Sequence, residues 1–362
     1  MSDGSRRPVV AVVGVGLIGG SIGLAARERL GAHVRGFDPR DGVLVAALER
    51  GALTDVCGSV AEAVEGADVA FVAAPVGALP AAVAEVLAAA GEDCVVSDVG
   101  STKRSVVAAV DDLRFIGGHP LAGAESSGVE HARSDLFTDA TWYLTPTADT
   151  RGTAYERLHR LITRIGAWPS AIEPDTHDVV MASVSHLPHV LANVLVAQAA
   201  RVLSAEGERL PATGPSFRDV TRVAGANSAV WSGIYRANAD ALVVAIDDMV
   251  ARLQSARDML AADDGEAITT WNDAAREDRR RLLESDLAGG EVHELRVLVP
   301  NRPGIVAEIA LALGRATIDI VDLGLYPSSG SQGIVALWIR GGVVAEQAER
   351  LIHDLGLEVA RV

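Results

Sequence analysis

Residues 8–26 read "PVVAVVGVGLIGGSIGLAA". A β-branched run, Val9 to Val13, ends in glycine, and the following "LIGGSIGLAARERL" has helical rather than alternating apolar spacing. Gly14, Gly16 and Gly19 therefore sit at a strand-to-helix junction in the spacing Gly-x-Gly-x-x-Gly. Each has its own physical reason: the first permits a tight turn, the second lets backbone approach a pyrophosphate, and the third lets the helix close on the strand. The helix start at Leu17 and Ile18 adds N–H donors and the positive end of the helix dipole. Glycine spacing alone is a weak signal, and the support comes from "HVRGFDP", a second strand ending at Asp38. A carboxylate roughly 20 residues past the glycines accepts from the adenosine ribose hydroxyls. A 2′-phosphate would meet that negative charge, so Asp38 favours NAD over NADP, with Arg40 nearby as a countervailing group.

Outward from this junction come two more apolar strands, "DVAFVAAPV" (68–76) and "DCVVSDVGS" (93–101), separated by alanine-rich helical stretches. Strands alternating with helices read as an α/β fold with a parallel sheet covered on both faces. Ligands of such sheets lie beyond the carboxyl ends of the strands, which places Pro75, Asp98, Gly100, Ser101 and Thr102 beside the cofactor. Ser101 serves equally well as a helix cap ahead of "TKRSVVAAV". "LRFIGGHP" then brings His119 to the same edge, inside "GGHPLAGAESSG" (117–128), with Glu125 six positions on. A histidine there can take a proton from a substrate hydroxyl as hydride leaves the same carbon; the plainer alternative is a hydrogen-bonded loop histidine.

From about 151 the pattern changes to long helices. "HLPHVLANVLVAQAARVLS" puts Leu187, Val190, Leu191, Val194, Leu195, Ala199 and Val202 on one stripe, which marks a core or an interface. "SHLPH" sets His186 and His189 three apart, but no third ligand at convincing spacing accompanies them, so no metal site is expected. Capping, core hydrogen bonding and substrate contact all remain open for the pair. In "FRDVTRVA", Arg222 offers a planar fork for a carboxylate or a surface ion pair, with Asp219 close by. Residues 292–362 read strand, helix, strand, strand, helix, strand, with a Pro-Gly break opening the first helix. The expected domains are 1–150, 151–290 and 291–362.

Composition limits the partners. The chain has 362 residues, 49% of them hydrophobic, and a formal net charge of −16, which argues against nucleic acid, whose binding draws on clustered Lys and Arg. An anionic substrate must then meet a local positive pocket. Two cysteines, Cys57 and Cys94, fit a reducing cytoplasm. The twin arginines ahead of residue 8 suggest an export signal or membrane span, but five glycines in the uncharged run argue against both.

Taken in order, "GVGLIGGS", "SDVGSTK", "GGHPLAGAESSG", "SHLPH", "FRDVTRVA" and the βαββαβ tail make the chain resemble, over essentially its whole length, the prephenate and arogenate dehydrogenases of tyrosine biosynthesis with a C-terminal ACT domain. The resemblance implies a Rossmann-type domain, an all-helical dimerisation domain and a regulatory ACT-like domain. It also implies a cytoplasmic homodimer that transfers hydride from the ring carbinol of prephenate to NAD as the ring carboxylate is lost, or acts likewise on arogenate. By position in the family's motifs, His119 polarises the ring hydroxyl with Ser101 as companion and Arg222 clamps a carboxylate. His189 and His186 belong to the substrate pocket, and Glu125 and Asp219 position or gate. Tyrosine is the implied effector, at residues 301–304. Two rivals stand beside this reading: another NAD-linked hydroxy-acid dehydrogenase, and a non-catalytic NAD-binding regulator.

Overall fold

Eight short apolar strands build the main sheet: β1 (Val9–Val13), β2 (His33–Phe37), β3 (Asp55–Val56), β4 (Val69–Val72), β5 (Val95–Asp98), β6 (Phe115–Pro120), β7 (Thr141–Thr145) and β8 (Trp168–Ala171). The computed structural model describes residues 6–123, 126–204, 213–284, 291–327 and 332–361. The strand order is β3-β2-β1-β4-β5-β6-β7-β8. The order reverses between β1 and β4, the position at which sheets of this kind bind ligands beyond the carboxyl ends of their strands. β1 and β4 are buried along almost their whole length because helices cover both faces of the sheet.

The expectation of a parallel sheet holds from β3 to β6 and for β7 with β8, but β6 and β7 run antiparallel. Among its described residues the connection 121–140 holds no crossover helix, and the chain comes back beside β6 reversed. One consequence is that Tyr143 stands opposite His119. The sheet also continues past residue 150: the helix Gly152–Arg164 buries Tyr155, Leu158, Leu161 and Ile162, and β8 follows it.

The tail folds as its pattern requires. β9 (Val292–Pro300), β10 (Ile320–Pro327), β11 (Gln332–Arg340) and β12 (Glu358–Arg361) form an antiparallel sheet in the order β10-β11-β9-β12. Alternate residues Leu295, Val297 and Val299 are buried under the helices Ile305–Arg315 and Gly342–Asp354. This sheet shares its apolar core with the Gly152–Arg164 helix. Gly304 (φ +77°) and Gly314 come so close to Ala148 and Ala171 that a Cβ would strike their carbonyl oxygens.

The chain divides into two compact units, one of residues 1–178, 226–237 and 292–362, the other of 179–225 and 238–291. The second is helical, with helices Leu187–Ser204, Pro215–Thr221, Ala239–Ala261 and Gly265–Glu284. Leu187 and Ala192 are buried, but Val194 and Leu195 of the expected stripe are exposed, as are Val244 and Leu253. The helical run Pro174–Val202 is long and apolar enough to cross a membrane by length and composition alone.

Candidate active site

The glycine turn has the geometry its spacing predicts. Gly14 takes φ +91°, and a Cβ there would lie 2.5 Å from the carbonyl oxygen of Ala73. Gly19 packs against the Gly14 carbonyl, whereas Gly16 faces open space with nothing within 4 Å of a notional Cβ. Gly16 caps the Leu17–Leu30 helix without a side-chain hydrogen bond, so the N–H groups of Leu17 and Ile18 have no intrahelical acceptor. An open glycine below unsatisfied donors is what a pyrophosphate needs, and these residues fit a dinucleotide.

Asp38 closes the adenosine side. It is buried and accepts from the N–H of Val15 (2.9 Å) and of Arg40 (3.0 Å), and the Arg40 guanidinium grips both of its oxygens. Burial opposes the charge, but the Arg40 side chain and the two N–H groups outweigh it and hold the carboxyl below its usual range. Pro75 lies exposed at the carboxyl end of β4.

Two expected members of the cofactor edge stand differently. Asp98 is fully buried, and its oxygens accept from Gly100 N (2.8 Å), Gly118 N (3.1 Å) and the Lys103 ammonium, so it braces the strand ends from below rather than facing a ligand. Ser101 does not cap the next helix: Lys103 holds that position, and the donors are met by Asp178, which accepts from Lys103 N (2.7 Å) and Arg104 N (3.0 Å).

His119, the last residue but one of β6, is half-buried. Its Nδ1 lies 2.9 Å from Nε2 of His177, and Nδ1 of His177 lies 2.8 Å from Asp178. Both partners are fully buried at the start of the Pro174–Met181 helix. The ring of Tyr143 meets His177 edge-on at 5.7 Å. Burial pulls the pKa of His177 down against the pull of Asp178. For Asp178, burial raises the pKa, but the His177 bond and the Lys103 and Arg104 amides bring it below its usual value. An ionised Asp178 therefore fixes the proton of His177 on Nδ1, Nε2 of His177 accepts from His119 Nδ1–H, and the lone pair of His119 is left on Nε2. That is the tautomer of a base. Neither His177 nor Asp178 is among the residues expected from sequence, although an adjacent His-Asp pair running into the apolar "VVM" is a signal that could have found them.

The second unit holds the other candidates. His189 is half-buried beside Arg222; burial first, and then the guanidinium, lowers its pKa, while a hydrogen bond with the backbone at Val223 raises it. His186 is buried and its Nδ1 is hydrogen-bonded to Asn238 Nδ2 (3.1 Å), which agrees with the core hydrogen bonding that stood beside substrate contact in the sequence reading. Asp219 is exposed, and its carbonyl oxygen accepts from Arg222 N. Glu125 lies outside the described residues. No group of three potential metal ligands occurs among the described residues.

Residues 22–169 match the family model described as prephenate dehydrogenase, nucleotide-binding domain, and residues 173–272 match prephenate dehydrogenase, dimerization domain. Prephenate dehydrogenase of Bacillus subtilis is 32% identical over 359 residues, 96% of each chain. Cyclohexadienyl dehydrogenase of Zymomonas mobilis is 31% identical over 265 residues, 71% of this chain and 90% of its own. The solved structure of Aquifex aeolicus prephenate dehydrogenase in complex with hydroxyphenyl propionate and NAD+ superposes with a TM-score of 0.72 at 26% identity, over 77% of this chain and 100% of that one. With a nucleotide turn, a histidine at the strand edge and relatives matched over nearly their full length, the chain belongs to the prephenate dehydrogenase family.

Proposed function

We propose that the chain oxidises prephenate with NAD in tyrosine biosynthesis, giving 4-hydroxyphenylpyruvate and carbon dioxide, with His119 as the proton acceptor. The observation that carries the role of His119 is its hydrogen bond to the buried His177–Asp178 pair, which leaves the basic lone pair on Nε2. The C–H bond at the ring carbinol breaks with its electron pair, and NAD, when bound on Gly14, Gly16, Gly19 and Asp38, supplies the hydride acceptor. The hydroxyl proton passes to His119 Nε2. The bond to the ring carboxylate breaks, carbon dioxide leaves, and that electron pair completes the aromatic ring. The proton then returns to the phenolate oxygen, so the enzyme ends the cycle unchanged.

Prephenate is a dianion, and in a chain of net charge −16 it needs a local cation. Arg222 serves as its carboxylate clamp, with His189 as neutral neighbour; their proximity and the lowered pKa of His189 support the pairing. Ser101 assists His119 from beyond the end of β5, Asp219 and Glu125 position or gate, and His186 acts through Asn238. The exposed apolar stripe of the second unit is covered in a homodimer, which also accounts for the apolar Pro174–Val202 run in an enzyme of the cytoplasm, where the thiols Cys57 and Cys94 stay free. Residues 291–362 act as an ACT-like domain that takes tyrosine as feedback effector near Asn301 to Gly304. Activity indifferent to millimolar tyrosine would remove that last assignment.

The test is NADH appearance by absorbance with purified protein, NAD, and prephenate or arogenate offered separately. Turnover of prephenate is expected; silence with both substrates, in protein that binds NAD, refutes the reading.

A further inference from the structure

Lys103 is the only lysine in the 362 residues; every other Lys or Arg position holds arginine. It is also fully buried, as is Asp98 beside it. The parallel pairing of β5 with β6 runs through Ser97 and Ile116 and goes no further. Beyond it the Gly118 peptide is held by side chains instead: its N–H donates to Asp98 Oδ1 (3.1 Å), and its carbonyl accepts from Lys103 Nζ (2.7 Å), which also donates to Asp98 Oδ2. The fit is close, since a Cβ on Gly118 would lie 2.7 Å from both the Asp98 carbonyl oxygen and Ser97 Oγ. The residue after Gly118 is His119. On its other side, the backbone N–H of Lys103 donates to Asp178, the carboxylate that orients His177.

We propose that Lys103 is a positioning residue of the hydride-transfer site, fixing with its ammonium the peptide that presents His119 and with its N–H the Asp178 that orients His177. The inference rests on the reading of His119 as proton acceptor. A lysine suits the place because a compact point charge with three donors reaches a carboxylate and a carbonyl at one atom, whereas the planar guanidinium fork spreads its donors apart. The buried positive charge also disfavours a proton on His177, which keeps the pair in its basic form.

Removing Lys103 alone would leave Asp98 buried and uncompensated, so the main variant is the double substitution Asp98→Asn with Lys103→Met. It is expected to bind NAD and prephenate within about threefold of the parent, while kcat falls about ten- to a hundredfold, the loss that a displacement near 1 Å produces. Lys103→Arg, which keeps the charge but moves the donors, is expected to fold and lose about tenfold in kcat by the same misplacement. Native kcat in either folded variant overturns the proposal. His119→Asn, assayed alongside, separates the two readings: a large loss there with native kcat in the Lys103 variants removes only Lys103, whereas native turnover in His119→Asn removes the reading beneath it. A measurement free of folding questions uses lysine-selective 15N labelling of the unmodified protein, which yields one side-chain resonance. Side-chain nitrogen protons that exchange slowly near pH 7 are expected; a fast-exchanging, solvent-like amine overturns the assignment.

Discussion

Nε2 of His177 lies 2.9 Å from Nδ1 of His119, and the two rings meet edge to face with centroids 5.1 Å apart. The second histidine sets the tautomer of the first, as the anchored Asp178 sets that of the second. His177→Leu removes the acceptor for His119 Nδ1–H and the link to Asp178. Turnover is expected to fall roughly 10- to 100-fold, the equivalent of one buried hydrogen bond to a charged network, with KM for NAD little changed. Unaltered kcat in a folded His177→Leu protein would show that the pair is packing only.

Arg40 covers Asp38 with a two-pronged ion pair, so the ribose hydroxyls must share that carboxylate with a guanidinium. Asp38→Ser removes the acceptor and leaves Arg40 to face a 2′-phosphate. The kcat/KM for NAD is expected to drop about tenfold, the worth of one charged hydrogen bond, while that for NADP rises. The ratio of the two cofactors, measured at one ionic strength, checks this; an unchanged ratio contradicts it.

His159 is buried where the Gly152–Arg164 helix meets β10, and its Nε2 lies 2.9 Å from the Ile320 carbonyl oxygen. Burial lowers its pKa to about 4 from an ordinary 6.5. With the folded value depressed, the unfolded chain takes up the proton first as pH falls. The contribution of His159 is therefore complete above pH 6.5 and is lost on descent towards pH 4, amounting to about 3 kcal/mol. Thermal melts of His159→Phe should show a shallower decline across that window than the parent; identical slopes would assign the acid sensitivity elsewhere.

Val244 is 69% exposed and Val194 60% exposed on helices of the second unit. If a second copy covers them, light scattering gives twice the chain mass of 37.6 kDa, and Val244→Asp shifts the protein towards monomer by placing a charge in an apolar interface. A monomeric parent at micromolar concentration would contradict the homodimer.

Much of this architecture is written locally in the chain. The Val9–Val13 run, Gly14 at φ +91° and the strand ending before Asp38 are short-range features with short-range causes, and the strand and helix order of 292–362 follows from apolar period alone. His119 is legible because its strand ends where ligands lie. The rest depends on contacts across the sequence. His177 meets His119 over 58 residues, and Asp178 reaches Lys103 over 75; no spacing rule announces such pairs. Asp98 looks like a cofactor residue because its strand ends at the right edge, yet its side chain points into the interior, where Lys103 and Gly118 hold it. Lys103 was in plain view inside "SDVGSTK", and its uniqueness as a lysine is the mark that sequence reading could have used. The reversal of β7 escapes local reading because nothing in the 121–140 connection specifies the direction of return.

The claim that holds the account together is that His119 takes the hydroxyl proton. Steady-state turnover of His119→Asn with saturating NAD and prephenate tests it most directly. A fall in kcat of about two to four orders of magnitude, with NAD affinity little changed, is the predicted result; turnover within a few-fold of the parent would contradict it.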